Sequence, residues 1–193
     1  MPTETARASI YRRRYLPLLR AMFALILCAA VGFYVHKSIH WRVMADTSVM
    51  HYVNFLMDQG WAPYRDILDF NPGAYFIEGW AMHLFGGGDL GWRFYDFSLL
   101  AILIASLIII SLPYDWFAGL FAGVIFLLIH GAEGPWNAGQ RELLMITLIM
   151  VSYAFLFTAL RRRKPLLALP FGFAIGLAAS VKPTAVRLGF VYS

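Results

Sequence analysis

The chain has 193 residues, of which 60% are hydrophobic and 14% charged, with a formal net charge of +5. Soluble domains carry about a quarter charged residues, so this balance excludes an ordinary water-soluble fold, and the single cysteine excludes a disulfide framework. The basic residues sit at the ends of apolar runs, which makes the positive charge a membrane-topology signal rather than a nucleic-acid footprint.

Five apolar runs predict membrane spans. The first covers Leu16 to Val35. It is long for the apolar core of a signal peptide and no small-residue cleavage motif follows before Trp41, so it reads as a retained anchor. Cys28 lies inside it and reads as a small packing residue. A polar loop, residues 36–93, comes next. Within it Asp46-Thr47-Ser48 offers helix-capping residues, and Val49, Tyr52, Val53 and Leu56 recur at helical spacing, with Gly60 as the stop and Pro63 beyond it. This predicts a short amphipathic helix on the membrane surface. Tyr64 to Gly73 is a turn-rich segment holding Arg65, Asp66 and Asp69. Tyr75 to Phe85 is apolar but too short to cross, and it contains Glu78 and His83, which predicts an interfacial or re-entrant helix. Gly86-Gly87-Gly88 reads as a turn, and without a following lysine-containing motif it is no phosphate loop.

The remaining spans are Phe94 to Leu112, a short one from Trp116 to His130, Leu143 to Leu160, and Leu166 to Val181. Without the alternation of a barrel, backbone in lipid must be helical. The predicted fold is therefore all-α: a polytopic bundle forming a single transmembrane domain, 1–193, with amphipathic helices in the first outer loop.

Orientation follows from Lys and Arg. Arg7, Arg12, Arg13 and Arg14 precede the first span with Arg20 in its opening turns, and Arg161-Arg162-Arg163-Lys164 follows the fourth. An N-terminus in the cytoplasm and five crossings place both clusters on the cytoplasmic side, nine basic residues against two acidic ones. The opposite side then holds seven basic and nine acidic residues. Asp46, Asp66, Asp69, Glu133, Arg141, Glu142 and Lys182 all fall on that outer face, where concentrated charge at a bilayer edge points to binding or chemistry.

Each of these residues has a simpler reading. Asp46 serves equally as a helix cap. Asp66 and Asp69 pair with Arg65 at the surface. Arg141 and Glu142 form an ion pair at a helix start, and Lys182 snorkels from a span end. His36, His40 and His51 raise a metal site, against the commoner reading of interfacial histidines without a metal.

Asp46, then the run Tyr64-Arg65-Asp66-Ile67-Leu68-Asp69-Phe70-Asn71-Pro72-Gly73-Ala74-Tyr75, then Leu84-Phe85-Gly86 and Arg93, occur in an order that resembles the N-terminal part of bacterial GT-C glycosyltransferases. These are the polytopic enzymes related to protein O-mannosyltransferases and lipid A aminoarabinose transferases. Gly139-Gln140-Arg141-Glu142 and the segment from Gly176 to Thr184 are similar to this superfamily too. The resemblance implies an enzyme of the bacterial cytoplasmic membrane. It would move a sugar from a polyprenyl-phosphate donor to a glycan, lipid or protein acceptor at the outer face, with no nucleic-acid partner. By position Asp46 would be the general base. Arg65, Arg141 and Lys182 would hold the donor phosphate. Asp66, Asp69 and Glu142 would support the acceptor, or Asp66 and Asp69 a divalent cation.

The sequence departs from the family in two places. Aminoarabinose transferases carry a phosphate-contacting lysine before a proline pair in this loop, where Asn71-Pro72-Gly73 stands here. Family members also have many more spans, so an N-terminal fragment is expected. The alternative function is a non-catalytic membrane subunit, or an inactive fragment, whose acidic loop binds a partner. A transport path is disfavoured because the predicted span centres lack charge.

Overall fold

The computed structural model describes residues 4–44, 46–67 and 72–183. Its elements are seven α-helices: α1 Glu4–Ser38, α2 Asp46–Asp58, α3 Pro72–Phe85, α4 Asp89–Ser111, α5 Trp116–Ala132, α6 Arg141–Arg162 and α7 Ala168–Val181. Short 3₁₀ turns at Gly134–Trp136 and Pro165–Leu167 lead into α6 and α7. Among the described residues there is no β-strand, only an isolated bridge between Pro63 and Ile67. The expected all-α bundle is therefore the fold.

Three helical stretches are long and apolar enough to cross a membrane: Tyr15–Ser38, Asp89–Ser111 and Arg141–Arg162. Each exceeds the roughly 20 residues needed at 1.5 Å per residue. The other two predicted spans are shorter apolar helices, Trp116–Ala132 and Pro165–Val181. Little of the first stretch is buried, and its large side chains point outward, including Leu25, Ile26 and Phe33. Outward apolar side chains suit lipid as the surrounding solvent. Cys28 shares this exposed surface and so does not pack in the interior as its sequence context suggested.

The short links after α4 and α6 turn the chain back, so that α4 packs against α5 and α6 against α7. Asp115 caps α5 by accepting from the Phe117 N–H at 3.1 Å. Gly119 and Gly123 lie one turn apart on the face of α5 that meets α4. A Cβ at Gly123 would stand 2.8 Å from Ile104, and one at Gly119 would meet the Leu107 carbonyl at 2.5 Å. The missing side chains let the two backbones approach, the common device for helix pairs in lipid, where burial of apolar surface adds little.

The buried core sits where α3, α4 and α6 meet, around Tyr75, Trp92, Leu100, Leu103 and Leu144. At this end the C-termini of α1, α5 and α7 gather with the N-termini of α4 and α6, and α2 and α3 pack alongside. At the other end Arg20 pairs with Asp115, and Arg161 lies 3.5 Å from the Ile109 carbonyl. The basic residue nearest the first span and the basic loop after α6 therefore flank one end of the bundle, as their shared side in the sequence reading requires.

Two elements differ from expectation. In α2 the buried face is Thr47, Met50, Val53 and Asn54, while Val49, Tyr52 and Phe55 are exposed. The helix is apolar on two faces, so the 3.6-residue pattern did not reveal which one packs inward. In addition, α4 begins at Asp89, five residues before the predicted span. This carries Arg93 into the helix, one turn before Asp96; both are fully buried and bear directly on the functional site.

Candidate functional site

Four of the predicted site residues converge. The Asp46 carboxylate at the start of α2 lies 3.8 Å from Nη2 of Arg141, the first residue of α6. Arg141 Nε is 3.8 Å from Glu142 Oε1, and Lys182 Nζ donates to that same oxygen at 2.8 Å. Each charge has a backbone reason for its place. Asp46 and Glu142 occupy first turns, where the helix dipole favours anions. Arg141 sits where the dipole disfavours a cation, and the two acids compensate it. Lys182 caps α7, with its N–H bonded to the Ala178 carbonyl. Asp46 is the first helical residue, so its carboxylate extends toward Arg141 and α6. The Asp46 side chain is 65% exposed. Partly exposed pairs of this kind are worth about 0–1 kcal/mol, so an arriving anion can displace Glu142 from Lys182 at small cost.

A cavity of about 280 Å³ opens between the end of α5 and the start of α6, lined by Ile129, His130, Glu133, Asn137, Gln140 and Glu142 among others. It adjoins the ion-pair chain through Glu142. Its volume lies just below the roughly 300–1,000 Å³ of drug-sized sites, and its wall combines the carboxylates and amides of Glu133, Glu142, Asn137 and Gln140 with the apolar Phe126, Leu143 and Ile146.

Arg65 and Asp66 stand apart. Arg65 donates to Asp66 from Nε and Nη2, with Nη2 at 2.7 Å, and Asp66 also accepts the Ala62 N–H at 2.8 Å. Hydrogen bonds from Arg65 and then from the Ala62 backbone hold the Asp66 carboxyl below its usual range. The turn is closed on itself, and among the described residues no ion pair joins it to Asp46, Arg141, Glu142 or Lys182. Asp69 and Asn71 lie outside the described residues. Asp66 is thus bound as in the surface-pair reading. No three His, Cys, Asp or Glu side chains converge as a cation's ligand set among the described residues. His51 instead lies 3.2 Å from Glu78.

A second cluster, beneath the first, escaped the sequence reading. Asp96 is ion-paired with Arg93 Nη1 at 3.0 Å, accepts the Tyr34 hydroxyl at 3.3 Å and the Gly139 N–H at 2.5 Å, and lies 3.4 Å from His130 Nε2. All these side chains are buried. The guanidinium of Arg93 is enclosed by aromatic rings, with the Phe97 centroid at 4.5 Å and the Trp41 centroid at 4.9 Å. Gly139 is required twice: its φ of +66° is left-handed, and a Cβ there would collide with the Trp92 indole. Through Gly139 and His130, Asp96 ties α1, α4 and α5 to the loop that carries Gln140, Arg141 and Glu142, and so fixes one wall of the cavity. The visible signal was the i,i+3 spacing of Arg93 and Asp96 among aromatics. Beginning the span at Phe94 left Arg93 outside it and concealed the pair.

Glu78 on α3 is also fully buried, with Asn54 donating to it at 3.2 Å. Burial raises its pKa above the ordinary 4.5, and the neighbouring His51 offsets this only in part. A raised folded-state value means stability that is complete below the unfolded pKa and lost as pH rises through the folded one. Thermal unfolding in detergent, followed from roughly pH 4 to 6, below the ordinary histidine range, should show stability falling as pH rises. Glu78→Gln should flatten that slope; an unchanged slope in the variant would assign the dependence to another group.

Comparison of the chain with known protein families, characterised proteins and solved structures finds no match to any of them.

Proposed function

We propose that the chain is a glycosyltransferase of the bacterial cytoplasmic membrane, of the GT-C type, with its N-terminus in the cytoplasm, five crossings, and its reaction site at the outer face. The observation that carries this reading is the junction of Asp46, Arg141, Glu142 and Lys182, drawn from three separate parts of the chain to one end of the bundle beside a cavity lined by both polar and apolar side chains. That end lies opposite the basic loop Arg161-Arg162-Arg163-Lys164, which supports an outward-facing site.

In this reading the Asp46 carboxylate takes the proton of an acceptor hydroxyl, which is a poor nucleophile until deprotonated. The acceptor oxygen attacks the anomeric carbon of the polyprenyl-phosphate sugar. The bond from that carbon to the phosphate oxygen breaks, and its electron pair leaves with the phosphate. The configuration inverts and no covalent enzyme intermediate forms. Arg141 and Lys182 stabilise the charge gathering on the lipid phosphate, while Glu142 holds Lys182 in place until phosphate arrives. Asp66 is already committed to Arg65 and the Ala62 N–H, so no step is assigned to a cation.

The test is transfer of radiolabelled sugar from defined polyprenyl phosphates by the chain reconstituted in vesicles, with envelope glycans, lipids and proteins as acceptors. Lys182→Gln should lower kcat/KM by roughly 10–100-fold, the usual worth of a hydrogen bond to a charged group, and Arg65→Gln should change it little. No transfer from any donor would overturn the proposal. A second reading, a non-catalytic subunit that docks a partner, draws support from the exposed Trp61 and Tyr64 beside the closed Arg65–Asp66 turn. It predicts partner capture lost on Trp61→Ala with no transfer activity.

A further inference from the structure

At the opposite end of the bundle, a groove of about 480 Å³ runs between α4 and α6, and no role in transfer is assigned to it. Ile102, Ala105, Ile109 and Phe155 are among the apolar residues that form it, and Arg161 and Arg162 stand at its mouth. We infer that this groove holds one acyl chain of an anionic diacyl phospholipid, with the phosphate bound by Arg161 and Arg162.

Depth supports this occupant. The 22 residues of α6 span about 33 Å, slightly more than the roughly 30 Å hydrocarbon core. With Arg141 at one interface, Arg161 and Arg162 reach the headgroups of the other. Charge supports it as well. Among the described residues no ion pair involves Arg161 or Arg162, and Arg161 has only the Ile109 carbonyl and the Thr158 hydroxyl, each at 3.5 Å. A packed helix would bring apolar surface but no anion to these two cations, whereas a phospholipid brings both. A lipid tail is already in an apolar medium, so entering the groove gains packing alone. Selectivity must then come from the headgroup, and the occupant must be anionic.

The experiment measures phospholipid retained by the detergent-purified chain after reconstitution in equimolar phosphatidylglycerol and phosphatidylcholine, by mass spectrometry. The wild-type chain should retain phosphatidylglycerol in preference. Near a membrane surface each basic residue contributes about fivefold, so Arg161→Gln with Arg162→Gln should lower retention roughly 25-fold. Ala105→Phe fills the groove from an exposed position without changing charge or core, and it should displace the lipid too. Arg163→Gln with Lys164→Gln removes the same charge away from the groove and should retain it. Equal loss in both double variants with no effect of Ala105→Phe would mean diffuse surface attraction and overturn the site. So would equal retention of phosphatidylcholine, or self-association of the chain through this face with no lipid bound.

Discussion

Asp96→Ala should destabilise the bundle by about 3–5 kcal/mol, the usual cost of removing one partner from a buried ion pair. Asp96 is the shared partner of Arg93, Tyr34 and the Gly139 N–H, and it faces His130, with no solvent to replace it. Without it, Arg93 stays charged among aromatic rings whose faces return only about 0.5–2 kcal/mol. For a chain of this length such a loss lowers the melting temperature by roughly 6–20 °C, readable in a detergent thermal scan. The Gly139 N–H would also be orphaned, loosening the loop that carries Arg141 and Glu142. Replacing the pair together, Arg93→Met with Asp96→Leu, should cost less than Asp96→Ala alone, because no unpaired charge remains. Equal destabilisation by the single and the double variant would show that the pair's charge is not what the site depends on.

The helices were readable from sequence wherever composition alone decides. α6 and the apolar part of α1 follow from runs too long and too apolar for anything but a buried or lipid-facing helix. The third predicted span, Trp116 to His130, agrees with α5 to within two residues at its end. The start of α4 was not readable. Asp89 and Arg93 look like loop residues, and Asp96 beside them looks like a span-end charge, until its partners are known; those come from Tyr34, 62 positions before Asp96, and His130, 34 positions after it. The chain buries charge seven residues into α4, short of the span's centre, by pairing it across three helices. The grouping of Asp46, Arg141, Glu142 and Lys182 at one end of the bundle was readable from the arginines, since topology gathers loop residues on one side. Which of them touch was not, and Arg65, equal to Arg141 in sequence terms, proves closed on Asp66 by a local turn.

Asp46→Asn should abolish transfer while leaving the fold intact. The side chain is largely exposed and its ion pair with Arg141 is long, at 3.8 Å, so its contribution to stability is at most about 1 kcal/mol. Asparagine keeps the shape but cannot accept the acceptor's proton, and losing a general base costs about 10²–10⁴ in rate. Glu142 cannot substitute, because it holds Lys182 at 2.8 Å and faces the cavity rather than the exposed side of α2.

The most direct test is therefore the rate of sugar transfer from polyprenyl phosphate in vesicles for the wild-type chain and Asp46→Asn side by side, with helicity and melting temperature matched. A transferring wild type and a variant slower by at least roughly 100-fold is the predicted result. A variant that transfers at the wild-type rate would contradict the assignment of Asp46 as the base, and with it the site built around the Asp46–Arg141–Glu142–Lys182 chain.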